Sequence, residues 1–458
     1  MTAPRPPRLR SLSAALALAL CSTIGSMAQA EDLLEIFNLA AENDPEIRQA
    51  RAQYNAQHTL VDQGRSFLLP TISATGRSSR DTTGIDGPPP AAGGFFSLPA
   101  HSFANGFNTK GYGLSVRQAL LNFEAWYAFK SAQKGDQVAA LTLARAEQQL
   151  IMRVATAYFD VLRSKANLAS FEGEEAAALR VLEQTQQRFD VGLIPITDVY
   201  DSQANADLAS VNRLVEENNL SQRLEALEAI TGRPFETVEM LMDEFPITPH
   251  ETPLEEWVQV ALEQSPTVQS AELDFEAKKD DAKSARARMM PTVDVSVGYN
   301  WNQSGNPLSF TPNLASESSQ VTLNLTVPLF AGGLNNARLR QAYYTRDASE
   351  EALLKAKRDN TMSTRNAWRS VETDVRAVQA RAQAIVSAQS ALEATQVGAE
   401  VGTRNVVDVV LAQRLLFQVQ RDYANARFNY VMDTLTLKQA AGTLSPQDVM
   451  DINGWLRE

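Results

Sequence analysis

The chain has 458 residues, 44% hydrophobic and 21% charged, with a mean hydropathy of −0.25 and a formal net charge of −12. A single cysteine excludes an internal disulfide framework, and three scattered histidines (His58, His101 and His250) leave no metal-ligand spacing and no histidine-based triad. The acidic balance argues against a nucleic-acid partner held in a basic groove.

Residues 1–30 read as a secretory signal peptide. Arg5, Arg8 and Arg10 give a positive start, Leu12 to Leu20 an apolar run, and Ala28-Gln29-Ala30 a small-x-small cleavage site before Glu31. Cys21 follows Leu20, where a lipidation signal carries a small residue, so lipidation is not expected. Removal of this segment lowers the basic residues from 42 to 39 against 54 acidic ones, a net of −15. No later run of about 18 apolar residues occurs, so no transmembrane helix is expected.

After a helical stretch beginning at Asp32, Ile72 and Ala74 alternate with Thr71, Ser73 and Thr75. Tyr112, Leu114 and Val116 alternate with Gly113, Ser115 and Arg117. Between these two strands lies Asp81 to Thr109, rich in Gly, Pro and Ser, which reads as a hairpin loop. From about Glu124 to Asp190 there is no proline, and Leu150, Val154, Val161 and Leu168 form one apolar stripe. Some 67 residues of helix span about 100 Å, too long for a compact domain. Val191-Gly192 then reads as a helix reversal, with a return helix from Thr197 to Ile230.

The second half repeats the series. Pro45 matches Pro266 and Pro70 matches Pro291 at an offset of 221, whereas Gly192 matches Gly402 and Gly232 matches Gly442 at 210. The eleven-residue difference falls in the first hairpin loop. Val293, Val295, Val297, Tyr299 and Trp301 alternate with polar residues, as do Val321, Leu323, Leu325 and Val327. Val371, Val378, Ile385 and Leu392 recur every seven residues, a coiled-coil seam. Val401-Gly402 reverses the chain into Val406 to Ala440. The expected organisation is a signal peptide (1–30) and a first repeat (31–248, hairpin 71–120). A second repeat (249–445, hairpin 292–328) and a C-terminal segment (446–458) follow.

Strands of about ten residues with one apolar face suit a tilted crossing of a bilayer, although a soluble hairpin has the same period. The signal peptide and the strand lengths favour the membrane, with Tyr112, Tyr299 and Trp301 as interface aromatics. Four strands cannot close a barrel in lipid, so copies of the chain must combine.

These residues resemble the TolC family of outer-membrane channel proteins over nearly the whole mature chain. The resemblance is carried by LLPTISATG and MMPTVDVSVG before the strands, VPLFAGG after the last, TAYFDVL in the first long helix, and QRFDVGLIPITDV and VGTRNVVDV at the reversals. ANARFNYVMDTLTLKQAAGTL in the last return helix completes it. It implies a homotrimer: a twelve-stranded β-barrel in the outer membrane of a Gram-negative bacterium, continuing into a long periplasmic α-helical barrel of coiled coils. It also implies no cofactor and no enzymatic activity. The implied partners are outer-membrane lipid, a periplasmic membrane-fusion (adaptor) protein and an inner-membrane ABC or proton-driven transporter.

By motif position, Thr197, Asp198 and Arg404 fall where interhelical links close the pore, and Asp408 where an acidic ring faces it. Leu411 and Ala399 stand where the family often has a second aspartate and a tyrosine. Val191, Gly192 and Leu193, with Val401, Gly402 and Thr403, are the expected adaptor-docking tips. Helix capping is a second role open to Asp198 and Asp408. A periplasmic coiled-coil scaffold or adaptor is the alternative function. A secreted enzyme finds no support, because there is no nucleophile elbow, P-loop or paired-cysteine motif.

Overall fold

The structure, a computed structural model, describes residues 31–83, 105–242, 244–249, 252–305 and 315–457. The signal segment and most of the first hairpin loop lie outside the described residues. Two like series of elements follow one another. The first is α1 (Leu33–Asn43), α2 (Pro45–Ser66), β1 (Thr71–Thr83), β2 (Asn105–Leu121), α3 (Phe123–Asp190) and α4 (Ile196–Thr231). After β3 (Met240–Leu241) come α5 (Leu254–Gln264), α6 (Pro266–Ala287), β4 (Thr292–Ser304), β5 (Ala315–Thr326), α7 (Leu334–Glu400) and α8 (Val406–Ala441). The chain ends in α9 (Pro446–Asn453) and β6 (Leu456–Arg457), which pairs with β3.

The helical stretch expected before each hairpin is two helices, not one. Asp44 and Ser265 are held extended, and Pro45 and Pro266 open α2 and α6. Proline fits the first helical position because its missing N–H has no intrahelical partner there. The Asp44 carboxylate accepts from Ile47 N and is bridged by Arg153, which also reaches Glu46 at 3.0 Å. Burial pushes the Asp44 pKa up, but Arg153 and these N–H groups outweigh it and hold it below the usual carboxylate range.

The four long strands form one antiparallel sheet in the order β1-β2-β4-β5. The strands exceed the expected ten residues, because the ladder continues past the apolar rows into polar sequence at the loop end. The helices are layered in matching order. On the sheet side α2, α3, α6 and α7 pack in succession, and on the far side α4, α3, α8 and α7 do so. One lateral edge of the chain therefore carries β1, α2 and α4, and the other carries β5 and α7.

The main core sits at the waist. Val154, Tyr158, Val161 and Leu162 of α3 pack with Val371 of α7, and with Val431, Leu435 and Leu437 of α8. Tyr158 donates its hydroxyl to Glu239 O, and burial pushes its pKa well above the ordinary value. Towards the far end only small clusters remain, Ala178 with Ala206 and Ala209, and Ala388 with Leu392, Val409 and Leu416. The heptad seam thus packs as expected, Val371, Val378 and Leu392 all being buried.

One group works against the waist. Asp374 on α7 has a buried Oδ2 without a hydrogen-bond partner among the described residues and lies beside Asp433 of α8. Burial and the neighbouring carboxyl push its pKa up to about 7, against the pull of Arg381. The folded chain therefore holds a proton here that the unfolded chain releases near the ordinary carboxyl value of 3.8. Stability is lost as pH rises between those two values, and the loss is complete above the higher one. Asp374→Asn is expected to raise the thermal midpoint of the helical circular-dichroism signal by roughly 3 °C at pH 8. At pH 4 it should leave that midpoint nearly unchanged.

Candidate functional site

Two places carry the functional reading, the sheet and the helix reversals. Residues directly opposite one another in an antiparallel ladder share a face. Ile72, Val116, Val297 and Val321 form one apolar row across all four strands, and Leu114 faces Tyr299 in the next. Tyr112 opposes Trp301 one row further, and their rings stack at 5.0 Å. This face is open: Ile72 is 71% exposed, Val321 74% and Leu323 66%. The other face is polar, with Ser73 bonded to Ser115 (2.7 Å) and Asn324 to Asp294 (3.1 Å). Among the described residues no helix is long and apolar enough to cross a membrane. The sheet is the element whose surface matches lipid on one side and water on the other.

Both reversals have the same backbone. Gly192 and Gly402 take φ +76, which costs glycine nothing. Leu193 N donates to Arg188 O and Thr403 N to Gly398 O, closing each long helix with a six-to-one bond. Val191, Leu193 and Val401 are each about 70% exposed, with Gly192, Gly402 and Thr403 beside them at the surface. The tips therefore present apolar side chains to the surroundings.

The proposed closure residues fall into two groups. Thr197 and Asp198 lie together in the first turn of α4, the Thr197 hydroxyl 3.4 Å from Asp198 Oδ1. Arg404 stands on the other tip, and within the chain its ionic partner is Asp408, 3.8 Å away, rather than Asp198. Asp408 also takes part in a capping box: its N–H donates to Asn405 Oδ1, and its Oδ2 accepts from Asn405 N. The capping role thus holds for Asp408, whereas no side chain caps α4. Asn405 and Gly398 were missed in the sequence. The Asn-x-x-Asp spacing signals the first, a variant of the usual capping box. A Cβ at Gly398 would lie 2.8 Å from Arg404 Cγ, so Gly398 makes room for the arginine stem. Leu411 is 56% exposed and lines a 310 Å³ cleft between α4 and α8 with Val407, Val410 and Leu208. Ala399 is partly buried against the small cluster of α7 and α8.

Long paired helices topped by a sheet with an apolar outer face define a channel-forming protein of the outer membrane. The sequence pattern of the outer membrane efflux protein family matches residues 36–233 and 257–443, and the chain belongs to that family. It is 34% identical over 437 residues to the outer membrane protein TolC of Vibrio cholerae, covering 95% of this chain and 96% of that one. It is 22% identical to the proteases secretion protein PrtF of Dickeya chrysanthemi, over 97% of this chain and 95% of that one. The fold matches the solved CmeC outer membrane channel of Campylobacter jejuni at a TM-score of 0.78 and 15% identity, covering 100% and 98% of the two chains. It also matches CusC at 0.78 and 16% identity, over 90% and 92%. The protein is thus an outer-membrane protein with a large periplasmic helical part.

Proposed function

We propose that three copies of the chain form a passive exit duct, which docks with a periplasmic adaptor and an inner-membrane transporter to export drugs or proteins. The observation that carries this reading is the pair of open lateral edges. Among the described residues β1 and β5 have no outer partner, and the helix edges continue in line with them. Unpaired strand edges are not tolerated in lipid, so the sheet has to be continued by other copies. Two copies give eight strands, a barrel whose interior side chains fill; three give twelve and leave a lumen.

In this duct the apolar rows face lipid, and Tyr112, Tyr299 and Trp301 mark its interface with water. Thr197, Asp198, Arg404 and Asp408 form the constriction at the far end. The exposed tips Val191-Gly192-Leu193 and Val401-Gly402-Thr403 are the docking surface, being apolar and facing the periplasm. A freestanding periplasmic scaffold would leave Ile72, Val321 and Leu323 in water, which argues against that alternative.

The test is the particle mass in detergent, by light scattering corrected for bound detergent. Three chains per particle are expected. A folded, β-rich monomer would sink the barrel.

A further inference from the structure

The duplication gives each long helix an equivalent place, with α7 residues 210 positions after their α3 counterparts. Val154 and Thr364, and Val161 and Val371, are buried at such matching positions. Beside these positions α3 packs on the C-terminal half of α8. Gln148 Nε2 donates to Gly442 O and to Leu444 O, both at 3.1 Å. Eleven residues on, the Phe159 ring lies 6.1 Å from that of Phe428. Ala155 falls between these two anchors and belongs to the same buried cluster as Leu435. Antiparallel helices pinned at both anchors place Ala155 level with the turn that ends at Leu435.

Among the described residues the matching face of α7 carries no such return helix, only the flank of α5 at Leu262. Gln148, Ala155 and Phe159 are replaced by Arg358, Arg365 and Arg369, all exposed. Among the described residues, no carboxylate forms an ion pair with any of the three arginines. The return helix that should cover them is α4, the counterpart of α8. In α4, Phe428 is replaced by Asn218 and Leu435 by Glu225, while Gly442 is matched by Gly232. Glu225 is likewise exposed and without an ion pair among the described residues. Two elements more than a hundred residues apart have thus exchanged apolar for complementary polar groups at positions whose counterparts in α3 and α8 face one another. Within one chain α4 packs along α3, and α8 lies between α3 and α7, so α4 cannot reach this face.

We infer that the arginine face of α7 seats the C-terminal half of α4 from a second copy. Arg365 pairs with Glu225 of that copy, and Arg358 donates to the backbone carbonyls that close its α4, as Gln148 does within the chain. The inference rests on the closed-ring reading and adds the residues that define one seam. The in-chain seam at this level is apolar and the seam between copies is ionic. Subunits can then stay soluble before they meet, since arginine and glutamate tolerate water where Phe159 and Leu435 do not.

Residues 31–458 contain no cysteine, so engineered thiols report without background. The full chain carrying Cys21→Ser, Arg365→Cys and Glu225→Cys, mildly oxidised in detergent, is expected to give covalent dimers and trimers on a denaturing gel. Neither single variant should do so, and a mixture of the two singles should stop at dimers. A particle of trimer mass that gives no covalent species overturns this seam and leaves the ring intact; a monomeric mass overturns the ring itself. Separately, Arg365→Glu should speed trimer dissociation by roughly tenfold or more, because it sets like charges face to face. Adding Glu225→Arg should restore the slow rate, with helical circular dichroism unchanged throughout. Failure of that rescue in a folded protein overturns the pair.

Discussion

Replacing Arg404 with serine is expected to raise single-channel conductance severalfold in planar-bilayer recording. The arginine stem fits over Gly398, and the backbone N–H groups of Thr403 and Arg404 both donate to Gly398 O. The guanidinium is thereby held at the outermost turn, 62% exposed and 3.8 Å from Asp408. From that place it can donate to carboxylates and hydroxyls on a neighbouring tip, and a planar fork makes such contacts bidentate. Serine removes both the charge and the reach.

Asp408 should behave differently. In the proposed duct its charge acts through the field in the lumen, so its loss should lower cation selectivity and weaken block by trivalent cations while leaving closure largely intact. Because Asp408 also accepts from Asn405 N, alanine would cost roughly 1 kcal/mol of helix capping as well. Asp408→Asn keeps an acceptor and removes the charge, which separates the two roles. Leu411→Asp, one turn further along α8, should add a second ring and strengthen the block. Selectivity unchanged in Asp408→Asn would leave Asp408 as a helix-start acid and put the constriction elsewhere.

The second large effect concerns the waist. Gly232 and Gly442 are equivalent helix ends with φ +74 and +79. A Cβ at Gly232 meets nothing nearer than Asn43 Cβ at 3.9 Å, whereas one at Gly442 meets Gln264 O and Ser265 Cα at 2.6 Å each. Gly232→Ala therefore carries only the left-handed backbone cost of about 1 kcal/mol. Gly442→Ala adds a collision with the α5–α6 junction and should cost about 3 kcal/mol or more in all. It should also loosen the bonds from Gln148 to Gly442 O and Leu444 O. Denaturant midpoints of the two variants give the comparison, and equal losses would mean that the junction moves aside freely.

Much of this architecture can be read in the sequence, because its signals are local and occur twice. Proline before a strand, glycine at a reversal and a seven-residue apolar period each act within a few residues. Pro70 and Pro291, or Gly192 and Gly402, repeat the same signal in each half. Asn-Asp-Pro and Gln-Ser-Pro likewise signal the breaks at Pro45 and Pro266, once proline is read as a helix opener rather than an interruption. The pairing of β2 with β4 has no local signal: it joins strands nearly two hundred residues apart, and only the packing of α3 on α6 brings them together. The two-residue ladder of β3 with β6 is illegible for the same reason. At the tips, motif position in the family resemblance located the residues without revealing which side chain Arg404 meets. That depends on the left-handed turn at Gly402 and on the space left at Gly398.

The uneven distribution of the core has a mechanical consequence. The large side chains of α3 are clamped up to Leu162, and 28 residues of α3 extend beyond it to Asp190. At 1.5 Å per residue that overhang is about 42 Å long. Arg421 of α8 still braces it at Glu174 (2.9 Å) and over the Phe171 ring, but nearer the tip the contacts become small, as in Ala178 against Ala206 and Ala209. A stiff rod fixed at one end and lightly braced at the other is a lever. A tilt of about 10° at the clamp sweeps the free end through roughly 7 Å at this length, more than the diameter of a water molecule and comparable to the width of a side chain. In the proposed duct the aperture can thus widen by several ångströms while the large side chains at the fulcrum keep their neighbours.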